Sequence, residues 1–238
     1  MNKRFWEIDF LRGLAIIMMV IYHVAWDLIY FFEVSVNINQ GPWKIFQSLT
    51  ASLFIFLVGV SSFLSYQRKR SLLVFLKRGT QVFSFGLLIS LVTWYLFPDE
   101  VIVFGILHLI GVTIVLTYFF QSLRYLNLVF GFLFIFIGSV FRVTFSNSLY
   151  LLPFGIVPET YASLDYFPIF PWLGIALVGI FWAQLFYENN QRNFDFNLVN
   201  NNFLTKSFEF LGKKSLLIYL IHQPILFLVF YLAKLLIY

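Results

Sequence analysis

Residues 11–28 read LRGLAIIMMVIYHVAWDL, apolar enough to cross a bilayer, yet they include His23 and Asp27 four residues apart. On a helix, side chains at i and i+4 share a face. At about 100° per residue, Arg12 and Met19 fall on the same stripe, with Arg12 about 16 Å below His23. An imidazole near mid-depth with a carboxylate a turn above it has the makings of a proton-abstracting base and its orienting partner. A bilayer core penalises such groups by several kcal/mol each unless they are paired, hydrated or in use. Arg12 has two readings: a fixed cation at the mouth of a site, or a snorkelling anchor partnered by Glu7 and Asp9.

Other polar residues fall in apolar surroundings. His108 sits in GILHLIG, between Gly105 and Gly111, and His222 sits in IHQP beside Gln223. Pro224 cannot donate to the carbonyl of Leu220, which leaves an acceptor beside His222 and Gln223. Each histidine could equally be an interhelical hydrogen bond. Asp165, just ahead of a later apolar run, is a further polar candidate. FLVGVSSF places small Gly59, Ser61 and Ser62 where a ligand or a neighbouring helix could approach. The following YQRKRSLLVFLKRG concentrates Arg68, Lys69, Arg70, Lys77 and Arg78. Such a cluster suits anionic lipid headgroups, at about 1 kcal/mol per charge, or a polyphosphate.

These residues have to be positioned by membrane helices. The chain has 238 residues, 61% of them hydrophobic and 11% charged. No soluble domain of that size hides so much apolar surface. Instead, runs of about 20 apolar residues recur, each long enough to span the hydrocarbon layer. The expectation is an all-α, polytopic membrane bundle of about seven transmembrane helices in one domain, 1–238. The predicted spans are 12–32, 45–65, 79–97, 101–120, 124–141, 168–187 and 215–237. The turn FPDE makes spans three and four a tight hairpin, and 142–167 could hold an interfacial or re-entrant piece. The first run is too long for a signal-peptide core and lacks an A-x-A site, so it reads as an uncleaved span. Residues 203–211 could lie on the membrane as an amphipathic helix.

Charge placement orients the bundle. With the N-terminus inside, the inner segments carry thirteen of the sixteen Lys and Arg residues, and Lys44, Arg142 and Lys234 lie outside. That bias predicts a cytoplasmic N-terminus and a multi-pass protein of the plasma membrane. The absence of cysteine excludes disulfides, Cys-ligated zinc, Fe–S clusters and a thiol nucleophile. No basic stripe points to nucleic acid.

Taken in order, RFWEIDFLRGLAIIMMVIYHVAWDL, FIFLVGVSSFLS, FLKRG, GILHLIG, DYFPIFPWLGIALVGI and GKKSLLIYLIHQPIL resemble the small prokaryotic relatives of heparan-α-glucosaminide N-acetyltransferase. The resemblance runs through nearly the whole chain. The element R-G-x(9)-H, from Arg12-Gly13 to His23, also resembles the opening of the wider membrane acyltransferase superfamily, where the histidine is taken as catalytic. The lysosomal enzyme has more spans, and its catalytic histidine lies in the loop after the first one. Here that loop, EVSVNINQGPW, has none, so His23 is carried over from the wider superfamily.

The resemblance implies transfer of an acyl group, acetyl or another, from cytoplasmic acyl-CoA to a carbohydrate or envelope-polymer acceptor on the other face, with no metal. In that reading His23 is the base and Asp27 orients it, with an acyl-histidine intermediate as the variant. Arg12, Gly59, Ser62, Arg68, Lys69, Arg70, Lys77 and Arg78 would bind the CoA. His108, His222, Gln223 and Asp165 remain other polar candidates, and homo-oligomerisation stays open. Two rival classes share the same buried polar groups: a transporter and a b-haem electron carrier. Haem needs two axial histidines at similar depth. His23 is expected near the midplane, His108 in the outer half and His222 in the inner half, so no pair matches.

Overall fold

The computed structural model describes residues 4–38, 40–140, 149–188, 191–194 and 202–237. Lys3 and Arg142 of the charge count lie outside the described residues. Eight α-helices follow one another: α1 (Trp6–Phe32), α2 (Gly41–Arg68), α3 (Leu72–Leu96), α4 (Ile106–Thr117), α5 (Leu126–Val140), α6 (Ile169–Phe186), α7 (Phe203–Lys213) and α8 (Ser215–Ile237). Three 3-10 turns and one two-residue strand pair, β1 (Tyr187–Glu188) with β2 (Gln191–Arg192), complete the described elements.

Five helices, α1, α2, α3, α6 and α8, are long and apolar enough to cross a membrane. The fourth and fifth predicted spans are shorter: Ile106–Phe120, including its 3-10 end, and Leu126–Val140. The predicted start of span four at 101 is corrected to Ile106. Residues 98–100 form the expected turn as a 3-10 helix, and Gly105 caps α4 in extended conformation. Helix α1 begins at Trp6, six residues before the apolar run, because Glu7 and Asp9 suit its positive N-terminal turn.

The chain divides into two compact units, Met1–Phe54 with Phe196–Tyr238, and Ile55–Asp195. In the first, α7 packs antiparallel on the start of α1. A Cβ on Gly212 would sit 1.7 Å from the carbonyl oxygen of Asp9, so backbone meets backbone there. Phe10 stacks on Phe208 at 4.9 Å. Helix α7 is amphipathic as expected: Thr205 and Gly212 are buried while Phe203, Leu204 and Phe210 are exposed. The pairs His23/His222, Asp27/Gln223 and Phe31/Phe230 climb α1 and α8 in the same direction, so these two helices are parallel.

In the second unit, α3 and α4 are antiparallel, with Gly86 against the His108 ring. Helices α5 and α6 are antiparallel as well, with Asn127 bonded to Gln184 at 3.3 Å and Gly138 set against Pro171. Large apolar side chains face outward on both α3 (Leu91, Trp94, Tyr95) and α8 (Leu228, Leu232, Leu236). In water that would be a severe penalty; in lipid it is the solvent-facing side.

Candidate active site: a polar cluster on α1 and α8

Two turns of α1 and one of α8 bring four polar side chains together at the level of His23 to Asp27. The His23 and His222 rings meet edge to face, with centroids 4.7 Å apart and planes at 82°. Gln223 Nε2 donates to Asp27 Oδ1 at 3.0 Å. Asp27 is fully buried and His222 is 8% exposed. Asp27 Oδ2, His222 Nε2 and Gln223 Oε1 are buried without a hydrogen-bond partner among the described residues. Leaving one such atom unsatisfied typically costs about 1–3 kcal/mol, so three on one pair of facing helices is a large expense for a structural contact.

The imidazole tautomers follow from their partners. His23 Nδ1 lies 2.9 Å from the carbonyl oxygen of Met19, and His222 Nδ1 lies 2.6 Å from that of Tyr219. A carbonyl oxygen can only accept, so both Nδ1 atoms carry protons and both Nε2 atoms keep a lone pair. Each ring is anchored by its own helix and presents a basic nitrogen. That is the arrangement a general base requires.

Two expectations are corrected here. The His23–Asp27 base–orienter bond is replaced: His23 turns to the carbonyl of Met19 one turn back, and the carboxylate is taken by Gln223 of α8. A backbone acceptor on the ring's own helix and an amide donor from the neighbour are better placed than two side chains on successive turns. The separation in depth between His23 and His222 also disappears. Helix α8 lies parallel to α1 and brings His222 up against His23. Their ring contact leaves no gap for a haem plane between them.

The other candidates stand elsewhere. Arg12 Nη1 pairs with Asp9 Oδ1 at 2.9 Å, and Arg4 Nε lies 3.4 Å from Asp9 Oδ2, so Arg12 belongs to a buried-carboxylate anchor at the start of α1. Gly59 is corrected from a cofactor contact to a helix crossing. A Cβ there would lie 1.9 Å from the carbonyl oxygen of Ala176, so α6 already fills the space a ligand would need. Ser62 is buried. Arg68, Lys69, Arg70, Lys77 and Arg78 are exposed at the α2–α3 turn. Arg78 Nη1 donates to Ser65 Oγ at 3.0 Å, and Arg70 lies over the Tyr66 ring at 5.6 Å. These cations belong to the second unit, the polar cluster to the first.

His108 is a satisfied core histidine. Its Nδ1 accepts the Gly105 N–H at 3.2 Å, which puts the proton on Nε2, 3.4 Å from Ser90 Oγ. It fastens the start of α4 to α3. Asp165 Oδ2 accepts the Ile106 N–H at 2.8 Å, a cap supplied from the loop before α6. Burial raises this carboxyl to about 6, opposed in part by that bond. Trp26 and Tyr30, which the sequence does not single out, form the wall of a cleft at the far end of α1. Their only sequence signal is the spacing of three and seven residues from His23.

Residues 4–224 match the family model described as heparan-alpha-glucosaminide N-acetyltransferase, catalytic. No curated protein and no solved structure matches the chain.

Proposed function

The chain belongs to the heparan-alpha-glucosaminide N-acetyltransferase catalytic family, and from that premise we propose that it acetylates an amine or hydroxyl of a sugar or envelope polymer, with acetyl-CoA as donor. The α1–α8 cluster is the reaction centre. His23 Nε2 takes the acceptor's proton as its nitrogen or oxygen attacks the thioester carbonyl. The carbonyl carbon–sulfur bond then breaks, and the imidazolium returns the proton to the departing CoA thiolate. Asp27, one helical turn beyond His23, stabilises the imidazolium by its charge. Gln223 holds that carboxylate in place. The cations Arg68–Arg78 suit the CoA phosphates, and their placement by the positive-inside rule assigns the donor to the cytoplasmic side of a plasma-membrane protein.

The observation that carries this reading is the contact of two Nδ1-anchored histidines on facing helices, beside an Asp27–Gln223 bond and with Asp27, His222 and Gln223 each keeping a buried polar atom without a partner among the described residues. Direct transfer needs only one such base. An acetyl-histidine on Nε2 is the variant, and a rapid burst of CoA without acceptor would reveal it.

The test is acceptor-dependent release of free CoA in proteoliposomes. A general base contributes about 10²–10⁴-fold, so His23→Ala is expected to lose most turnover while CoA-induced thermal stabilisation survives. A folded His23→Ala protein turning over at the parent rate would overturn the assignment. Acceptor flux without CoA release in the parent protein would make the chain a transporter.

A further inference from the structure

Helix α7 lies over the first turns of α1, and the two backbones touch twice. A side chain at Gly212 would run into the Asp9 carbonyl, and one at Gly13 into the Phe208 carbonyl. Phe10 and Phe208 stack between those points. Helix α7 is therefore pinned at two places rather than tethered by its end. We propose that the surface made by this contact binds the headgroup of an anionic phospholipid in the leaflet at the N-terminal end of α1, with the exposed apolar strip of α7 against that lipid's acyl chains. The proposal is independent of the acyl-transfer reading.

Charge placement is the first support. Stretches 4–14 and 202–214 hold five cations, Arg4, Arg12, Lys206, Lys213 and Lys214, against three carboxylates, Glu7, Asp9 and Glu209. Two of the carboxylates turn inward: Asp9 is 2% exposed and the Glu209 side chain 16%. Their partners turn outward. Arg4 Nε lies 3.4 Å from Asp9 Oδ2 with its side chain 59% exposed, and Lys213 Nζ lies 2.9 Å from Glu209 Oε2 with 41% exposed. Lys206 and Lys214 are exposed as well. Asp9 gathers Arg4 and Arg12, and its own carbonyl seats Gly212, so Lys213 and Lys214 follow within about 8 Å along the chain. The oxygens of one phosphodiester can accept from more than one of these donors at once.

Apolar exposure decides which kind of phosphate fits. At about 100° per residue, residues seven apart on a helix share a stripe. Thr205 and Gly212 form the buried stripe of α7, Lys206 and Lys213 a second, and Phe203 and Phe210 a third. The lysine stripe lies roughly 100° round from the buried one, and the phenylalanine stripe roughly 60° further. The cations therefore border the free apolar strip on the flank nearer α1. Phe203 is 81% exposed and Phe210 62%. Exposed rings beside ammonium groups suit a ligand in which negative charge and hydrocarbon are joined. A free phosphate would leave the rings in water, and a zwitterionic lipid would bring a cation of its own to the lysines. Topological anchoring needs cations alone, neither a pinned helix nor an apolar strip.

The test compares phosphatidylglycerol with phosphatidylcholine on the purified full chain in detergent micelles. Native mass spectrometry reads the lipid retained, and thermal unfolding reads the stabilisation it confers. The parent is expected to prefer phosphatidylglycerol, and added salt should erode that preference. Each cation near an anionic surface contributes about fivefold in affinity, so Lys213→Gln with Lys214→Gln should cut the preference by about tenfold or more. Glu209→Gln frees Lys213 from its ion pair and should raise it. Phe210→Ser should weaken retention of both lipids alike. Lys44→Gln, which removes an exposed cation at the start of α2, is the control and should change neither. An unchanged preference in the Lys213→Gln/Lys214→Gln protein, or an equal loss in Lys44→Gln, would overturn the assignment. Loss of CoA-induced stabilisation in the double variant would do so as well, by giving the patch to donor phosphates. Stabilisation by inorganic phosphate equal to that by phosphatidylglycerol would also overturn it, since the apolar strip would then take no part. A parent that responds to lipid and not to CoA would count against the acyl-transfer reading and leave this site standing.

Discussion

Gln223 of α8 reaches Asp27 of α1 across 196 residues of sequence, its Nε2 donating to Oδ1 at 3.0 Å. This is the one hydrogen bond the described residues give a fully buried carboxylate. Gln223→Leu should therefore strand it and lower stability by about 1–3 kcal/mol, read as thermal unfolding in detergent. Asp27→Leu removes the group that needs the bond. The double variant should then lose less than the two singles summed, since the leucines replace both partners. Strict additivity would mean that the two side chains do not interact.

Gly59 gives a second prediction, because helix crossing and ligand binding fail differently. Gly59→Ala drives a Cβ to 1.9 Å from a backbone oxygen of α6, and backbone cannot swing aside as a side chain does. The helices must separate, at an expected loss of about 1–3 kcal/mol. CoA-induced stabilisation should persist in whatever fraction still folds. A variant that keeps parent stability but no longer responds to CoA would restore Gly59 to the donor site.

All four members of the α1–α8 cluster are visible in the sequence, because ionisable and amide side chains stand out in apolar runs. Their partnerships are not. Helical spacing relates His23 only to its own helix, so it suggests Asp27. The actual partner of that carboxylate depends on the register of α8 against α1, which no local pattern encodes. The depth of His222 is misjudged for a related reason: each apolar run is measured from its own start, while contacts follow the packed helices. The Trp26–Tyr30 cleft is invisible because membrane-edge aromatics are common and the turn at Glu33 carries no glycine to announce it. Helices α4 and α5 fall short of the expected span length because non-helical caps and turns, as at Gly105, take up part of each apolar run.

Asp165 lies outside the spans and gives a pH prediction. Its carboxyl is raised to about 6 in the folded protein from 3.8, so the folded state binds its proton more tightly than the unfolded chain. The stability this contributes is fully present below about pH 4 and is lost as pH rises through 6. Asp165→Asn keeps an oxygen for the Ile106 N–H without the charge. It should flatten the stability profile between pH 4 and 6 and match or exceed the parent protein at neutral pH. An unchanged profile in the variant would assign the slope to other groups.

The parallel packing of α1 and α8 requires an odd number of crossings, which both five and seven satisfy. The link between α4 and α5 decides between them. If both short helices cross, beside their antiparallel partners α3 and α6, Ser122 lies on the cytoplasmic side with Arg124. If neither crosses, Asp99 and Ser122 both lie outside. Because the chain contains no cysteine, single introduced thiols report without background. Asp99→Cys, Ser122→Cys and Lys69→Cys all place the thiol at exposed positions. Positive-inside placement of Arg124 and of the Arg68–Arg78 cations favours seven spans with a cytoplasmic N-terminus. A membrane-impermeant maleimide on intact cells should then label only the Asp99→Cys protein, and permeabilisation should expose the other two. Labelling of Ser122→Cys from outside would reduce the count to five, and labelling of Lys69→Cys would invert the whole bundle.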